Sequence, residues 1–124
     1  MTPFSLVLLP FPFTDLSANK QRPCLVLVNF RPFGLGRHSI VAMVTSQLTG
    51  LTFPGDTQIS AWVAAGLPKS LVRLAKVVTV EESLIRKRLG QLQLADQMAI
   101  RVNFESLFAV MLGSRTGTRK LPGA

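Results

Sequence analysis

Apolar residues along this chain fall into short unbroken runs separated by stretches rich in proline and glycine, a pattern of strands rather than helices. Phe4 to Leu9 is the first run, closed by Pro10. Cys24, Leu25, Val26, Leu27 and Val28 form the second without alternation, which predicts a strand covered on both faces in the middle of the fold. Pro23 cannot donate to a ladder and marks where pairing begins, so Arg22 is placed at the mouth of that strand, within reach of solvent and ligand. Ser39 to Gln47 predicts a third strand, whose apolar part, Ile40 to Val44, gives way abruptly to Thr45, Ser46 and Gln47. Three hydrogen-bonding side chains where a buried strand surfaces are either a site or an ordinary strand end. Thr57 to Ser60 predicts a short strand, and Ala61 to Gly66 a turn or short helical piece closed by Gly66 and Pro68. In the next long strand, Ser70 to Val80, alternation sets Val72 and Leu74 on one face and Arg73, Ala75 and Val77 on the other. Leu84 to Leu92 makes a final strand whose Arg86, Lys87 and Arg88 read as a solvated edge that discourages strand-to-strand aggregation.

Between these runs the connections differ in kind. Phe11 to Leu16 is too proline-rich for a helix and too aromatic for a free linker, so it predicts a loop pinned by its own side chains and leading to Arg22. Phe30 to Arg37 holds Pro32, Gly34 and Gly36 and reads as a flexible connection with His38 at its end. His38 is a solvated loop residue on the plain reading and a catalytic histidine on the sharp one. Leu48 to Asp56 is turn-rich, and Glu81, Glu82 and Ser83 turn the chain. A helical period occurs once: Ile100, Phe104, Leu107, Phe108 and Met111 recur at i, i+4, i+7, i+8 and i+11. This predicts a helix over about 96–112, with Asp96 as N-cap, Gly113 as stop and the stripe turned inward. Short twisted strands, long early loops and one C-terminal helix suggest a small, mainly β barrel with an appended helix. The expected organisation is one domain over 1–113 and a flexible basic tail over 114–124.

Composition narrows the function. At 124 residues and 48% apolar, the chain has material for one real core. Fourteen Lys and Arg against six Asp and Glu give a net charge of +8. No acid falls between Asp15 and Asp56, or between Asp56 and Glu81, while Lys20, Arg22, Arg31, Arg37, Lys69, Arg73 and Lys76 do. That field favours a polyanion or an acidic protein partner over a merely soluble basic protein. One cysteine excludes an internal disulfide, one histidine argues against a zinc site, and Cys24 reads as core packing. The N-terminus lacks a basic region and Pro10 and Pro12 interrupt its apolar stretch, so it does not read as a signal peptide. No run approaches the roughly 18 residues of a membrane span, and the expected location is the cytoplasm. No metal-ligand spacing, phosphate loop, serine–histidine arrangement or acidic pair stands out, so an enzyme of this sequence is expected to need no metal or cofactor. What remains, Arg22, Thr45, Ser46 and Arg73, suits electrostatic stabilisation of a charged transition state.

These residues carry a resemblance. Leu8 to Leu16, Lys20-Gln21-Arg22-Pro23 with its apolar strand, Val44-Thr45-Ser46-Gln47, Trp62, Ala65 to Lys69, Ser70 to Leu74 and Leu84 to Leu89 occur in an order similar to that of the MazF/PemK toxins of type II toxin-antitoxin modules, especially the PemK-like branch. The resemblance covers nearly all of residues 4 to 113. It implies an SH3-like barrel of the MazF/PemK/CcdB type, forming a symmetric homodimer. It implies a metal-independent, sequence-selective endoribonuclease that cuts single-stranded mRNA until an acidic antitoxin covers its site. In such proteins the Arg of the Arg-Pro pair and the Thr opening the Thr-Ser motif form the catalytic pair, matching Arg22 and Thr45, and Arg73 matches an arginine that some members use. Lys20, Gln21, Arg37, Ser46 and Gln47 are the expected RNA-binding residues, with specificity read by the Thr14 to Gln21 and Phe30 to His38 loops.

The chemistry fits those residue types. Attack by a ribose 2′-hydroxyl needs alignment and charge neutralisation, not a protein nucleophile. Arginine gives a phosphate two parallel hydrogen bonds and threonine adds one, while arginine is a poor base. Two departures bear on activity: Ala75 stands where many PemK-like members have an acidic residue, and the histidine that some carry before Arg-Pro is absent. Asp15 and His38 are the candidate substitutes. The opening Thr2-Pro3-Phe4 also replaces the usual Gly-acidic-hydrophobic start. Arg73 is either a site residue or an ion-pair partner of Asp15 or Glu81, and Trp62 is expected to pack in the core or at a dimer interface rather than stack on a base. The alternatives to a ribonuclease are an inactive MazF-like binder of an antitoxin and a CcdB-like inhibitor of DNA gyrase.

Overall fold

The computed structural model describes residues 1–10, 21–50, 52–109 and 111–113. The expected pinned loop at Phe11 to Leu16, Lys20 and the tail over 114–124 lie outside the described residues. Strands β1 (Ser5–Leu9), β2 (Arg22–Phe30), β3 (His38–Thr45), β4 (Asp56–Gln58), β5 (Leu71–Glu81) and β6 (Lys87–Gln91) form one antiparallel sheet in the order β4-β5-β3-β2-β1-β6. A 3₁₀ turn, Glu82–Leu84, precedes β6, and helix α1 (Leu94–Leu107) follows it. The fold is therefore mainly β with a C-terminal helix, as the apolar runs predict. β1 begins one residue later than expected because Phe4 takes a positive φ of 67°, with its N–H donating to the Val26 carbonyl at 2.7 Å.

The ladder is open, with β4 and β6 at its edges. Packing spans the opening instead of hydrogen bonds. The turn that follows β4 reaches the β6 edge so closely that a Cβ on Gly90 would lie 2.4 Å from the Ala65 carbonyl oxygen, and one on Gly66 2.5 Å from that of Leu89. Gly66 also has φ +79°, so glycine meets both demands at that position.

Apolar residues divide between the two faces of the sheet. Leu6, Leu25, Ala42, Val44, Val72 and Leu74 belong to one cluster, which Ile59, Leu67 and Ile100 cover and against which Trp62 packs. Val7, Leu9, Cys24, Val26, Val41 and Met43 belong to the other. The expected double cover of β2 thus holds for Cys24 to Val26, all fully buried. It lapses further on, where Val28 and Phe30 are exposed beyond a bulge that leaves Leu27 without a partner on β3.

A larger bulge corrects the face assignment on β5. Arg73 opposes Met43 and Val77 opposes Ala42, so Leu74, Ala75 and Lys76 have no residue of β3 opposite them. The bulge inverts the alternation: Val77 packs with Val72 and Leu74 in the first cluster, not on the face of Arg73. Val78 and Val80 then join the second cluster.

The helix also departs from expectation. It runs Leu94–Leu107, with Gln93 rather than Asp96 at the N-cap. Asp96 is buried one turn in and accepts hydrogen bonds from Ser60 N–H at 2.9 Å, Ser60 Oγ at 2.6 Å and Ala61 N–H at 2.9 Å. Asn103 Nδ2 donates to Thr57 Oγ1 at 2.8 Å. With these polar anchors, Asp96, Ile100, Asn103 and Leu107 lie toward the sheet, so the predicted stripe holds at Ile100 and Leu107 and fails at Phe104 and Met111. Ile100 is buried, but Phe104 is 38% and Met111 74% exposed. Gly113 does take a positive φ of 83°, beyond turns that follow the helix.

Candidate functional site

Directly opposed residues of antiparallel strands share a face. Pairing runs Val7 to Cys24, Cys24 to Met43, Met43 to Arg73 and Arg73 to Asp56, a row across β1, β2, β3, β5 and β4 on the face of the second apolar cluster. The next row outward holds Leu9 opposite Arg22 and Thr45 opposite Leu71. The β2–β3 register has its last pair at Cys24 and Met43; continued outward, it sets Arg22 against Thr45. Cross-strand neighbours of this kind have Cβ atoms about 5 Å apart. Arg22, Thr45 and Arg73 therefore share one face at one end of the sheet, where an apolar surface turns polar.

Local structure shapes each group. Pro23 starts the apolar part of β2, and the Cys24 thiol donates to the Arg22 carbonyl at 3.7 Å. Burial pushes that thiol up to about 12, against the pull of the Arg22 charge, so Cys24 is a core residue and not a nucleophile. Thr45 ends β3, and its Oγ accepts from the Gln47 N–H at 3.1 Å. That contact uses one lone pair and leaves the hydroxyl proton as a donor. Ser46 and Gln47 are exposed at the same end, and Gln21 precedes Arg22 with a buried Oε1 that has no hydrogen-bond partner among the described residues.

Arg73 has a partner that sequence reasoning missed. Its Nε donates to Asp56 Oδ1 at 3.0 Å and its Nη2 to Oδ2 at 2.9 Å, a side-on bidentate pair. Phe53 N–H donates to Asp56 Oδ2 at 3.0 Å, and the Phe53 ring lies under both Arg73 (4.3 Å) and Lys76 (5.2 Å). Of the two expected partners, Glu81 sits at the other end of β5, and Asp15 lies outside the described residues. The signal for Asp56 was a lone acid before a short strand, which becomes informative only once β4 is known to pair with β5.

Other candidates lie elsewhere. His38 opposes Phe30 at the far end of the β2–β3 ladder, stacks on its ring at 5.7 Å, and holds its Nδ1 2.8 Å from the Gly36 carbonyl. Eight strand steps separate that end from Arg22, about 26 Å. Within one chain His38 cannot stand in as a proton acceptor beside Arg22. Arg37 is at the same far end, 3.5 Å from Glu82 Oε1, and is not brought together with the other expected RNA contacts. There Glu82 Oε2 accepts from Asn29 Nδ2 and Ser39 Oγ, both at 3.0 Å. Burial pushes the Glu82 carboxyl up, but these bonds, the amino terminus and Arg37 outweigh it and hold it below its ordinary value.

Among the described residues no three His, Cys, Asp or Glu are grouped to hold a metal ion, and no helix is long and apolar enough to cross a membrane. The site's means are positive charge, hydroxyls and hydrogen-bond donors, which suit a phosphodiester.

A family model described as PemK-like, MazF-like toxin of type II toxin-antitoxin system matches residues 2–108. A search of curated proteins gives no match. Among solved structures, the Mycobacterium tuberculosis toxin MazF-mt6 is similar with TM-score 0.60 at 20% identity, over 84% of this chain and 95% of that one. MazF from Deinococcus radiodurans gives 0.61 at 20% identity, over 86% and 94%. A mycobacterial endoribonuclease solved in complex with its cognate antitoxin gives 0.64 at 15% identity, over 87% and 94%.

Proposed function

The chain belongs to the PemK-like, MazF-like toxins of type II toxin-antitoxin systems, and from that membership we propose that it is a metal-independent, sequence-selective endoribonuclease acting on single-stranded mRNA. The observation that carries the reading is the juxtaposition of Arg22 and Thr45 on neighbouring strands, with Arg73 one row inward on the same face. The ribose 2′-oxygen attacks the adjacent phosphorus, the bond to the 5′-oxygen breaks, and the 2′-proton is lost as the leaving oxygen gains one. Arg22 donates two hydrogen bonds to the non-bridging oxygens and Thr45 one, which neutralises charge on the pentacoordinate phosphorane. Lys20, Gln21, Ser46 and Gln47 flank this pair in sequence and bind the RNA around the cut. Arg37, at the other end of β3, contacts RNA only along a longer path or across a homodimer. An acidic antitoxin covers the site, as the net charge of +8 favours.

A second reading, a catalytically weak toxin that still binds its antitoxin, is favoured by Ala75. It is exposed within the β5 bulge, where many PemK-like proteins carry an acid. One assay separates the two: a long single-stranded RNA is incubated in EDTA with wild type, Arg22→Ala and Ala75→Asp. The ribonuclease reading expects discrete wild-type cuts, slowed by about 10² to 10³-fold in Arg22→Ala with its circular dichroism unchanged. Silent wild type with active Ala75→Asp identifies the missing carboxylate as the lesion. Silence from both rules out the ribonuclease and moves the test to antitoxin and gyrase binding.

A further inference from the structure

We infer that Asp56 is a positioning residue, which acts on bound RNA through Arg73 by locking the orientation of that guanidinium over the site. The inference rests on the ribonuclease reading for the identity of the substrate, and on the following geometry for the role.

The pair is largely buried, each side chain 11% exposed. Withdrawing two charges from water costs about as much as their attraction returns, so such a pair is weak material for stability alone. Its geometry has a further consequence. Asp56 takes the Nε–Nη2 edge of Arg73, and in a planar guanidinium the third nitrogen, Nη1, points directly away from that edge. Asp56 lies on β4, an edge strand, and opposes Arg73 in register. Arg73 stands on β5 between Asp56 on β4 and Met43 on β3, the strand that ends in Thr45, so the carboxylate fixes the guanidinium from the β4 side of that row. Phe53 holds the same unit from a third side, with its ring under the guanidinium and its N–H on the carboxylate. A long, rotamer-rich side chain is thus held in one orientation before any substrate arrives, which is what a phosphate contact near the reacting group requires.

The sign of the charge separates positioning from bare electrostatics. Asp56 is an acid on a surface that meets a polyanion, so if its charge alone mattered, Asp56→Asn would tighten RNA binding. Positioning requires the opposite. Two readouts are taken on wild type, Asp56→Asn, Arg73→Gln and the double variant: kcat for cleavage of a long single-stranded RNA, and affinity for a 2′-O-methylated single-stranded RNA of mixed sequence that cannot be cut. Asp56→Asn should lower kcat by about 10 to 10²-fold and weaken binding, and should add little in an Arg73→Gln background. Tighter binding, unchanged kcat or additive effects overturn the inference. A wild type that does not cut removes the ribonuclease reading, and the binding cycle alone then decides the role of Asp56. Because Asp56→Asn leaves Arg73 buried without its counter-charge, the exchange Asp56→Arg with Arg73→Asp is measured too. The exchanged pair should restore the thermal midpoint while RNA binding stays weak, whereas binding restored along with stability shows the pair to be structural only.

Discussion

Asp96 accepts three hydrogen bonds from Ser60 and Ala61 while buried, and so joins the helix to the turn after β4. Its place in the sequence, ahead of an apolar periodic stretch, predicts an N-cap worth about 1 kcal/mol. The observed role is larger, since removal leaves two backbone N–H groups and a hydroxyl without their acceptor. Asp96→Ala is expected to cost about 3 kcal/mol in urea unfolding, and a loss near 1 kcal/mol would return it to a capping role. Cys24 and Arg22 were legible from sequence because a neighbour in the chain defines each environment: an apolar run for one, a proline for the other. Arg73 was legible as a candidate and its partner was not. Asp56 is distant in sequence, and only the β4–β5 register makes it adjacent.

At the level of elements, the strands followed from their apolar runs, and the departures arise where an element meets another. The β5 bulge inserts Leu74, Ala75 and Lys76 beside Arg73, so strict alternation assigned Val77 to the wrong face. The predicted α1 stripe packs inward at Ile100 and Leu107 but not at Phe104 or Met111, and the buried side of the helix also carries Asp96, which accepts hydrogen bonds from Ser60 and Ala61, and Asn103, which donates to Thr57. Neither a bulge nor a polar anchor on a helix's buried side is encoded in apolar periodicity. Gly90 marks a sensitive junction, since any Cβ there meets the Ala65 backbone oxygen and must push the turn off the β6 edge. Gly90→Ala should destabilise by about 1–3 kcal/mol and expose the 61–67 turn to protease. A variant as stable and as resistant as wild type would mean that this junction yields without cost.

For the whole molecule, two anchored carboxyls predict its response to acid. Burial pushes the Asp96 carboxyl up, but its bonds from Ser60 and Ala61 outweigh that effect, and Glu82 is lowered likewise by its own network. Folded values below the unfolded ones mean that both groups stabilise the fold at neutral pH. That contribution fades as the pH falls through the folded-state values, below the ordinary 4.5 of glutamate and 3.8 of aspartate. Unfolding midpoints should be flat from pH 7 to about pH 5 and fall beneath it, and Glu82→Gln with Asp96→Asn should flatten that fall. A loss of stability already between pH 7 and 6 would overturn this assignment to the two carboxyls. The sequence alone determined the class of fold, the apolar strands and the polar residues at their ends. Those properties depend on neighbours in the chain, through backbone alternation, proline and the burial of apolar runs. Only the tertiary structure decided that Arg22, Thr45 and Arg73 share one face, that His38 and Arg37 lie at the opposite end, and that Asp56 holds Arg73. Each of these depends on strand register, which is set by contacts between residues far apart in the chain.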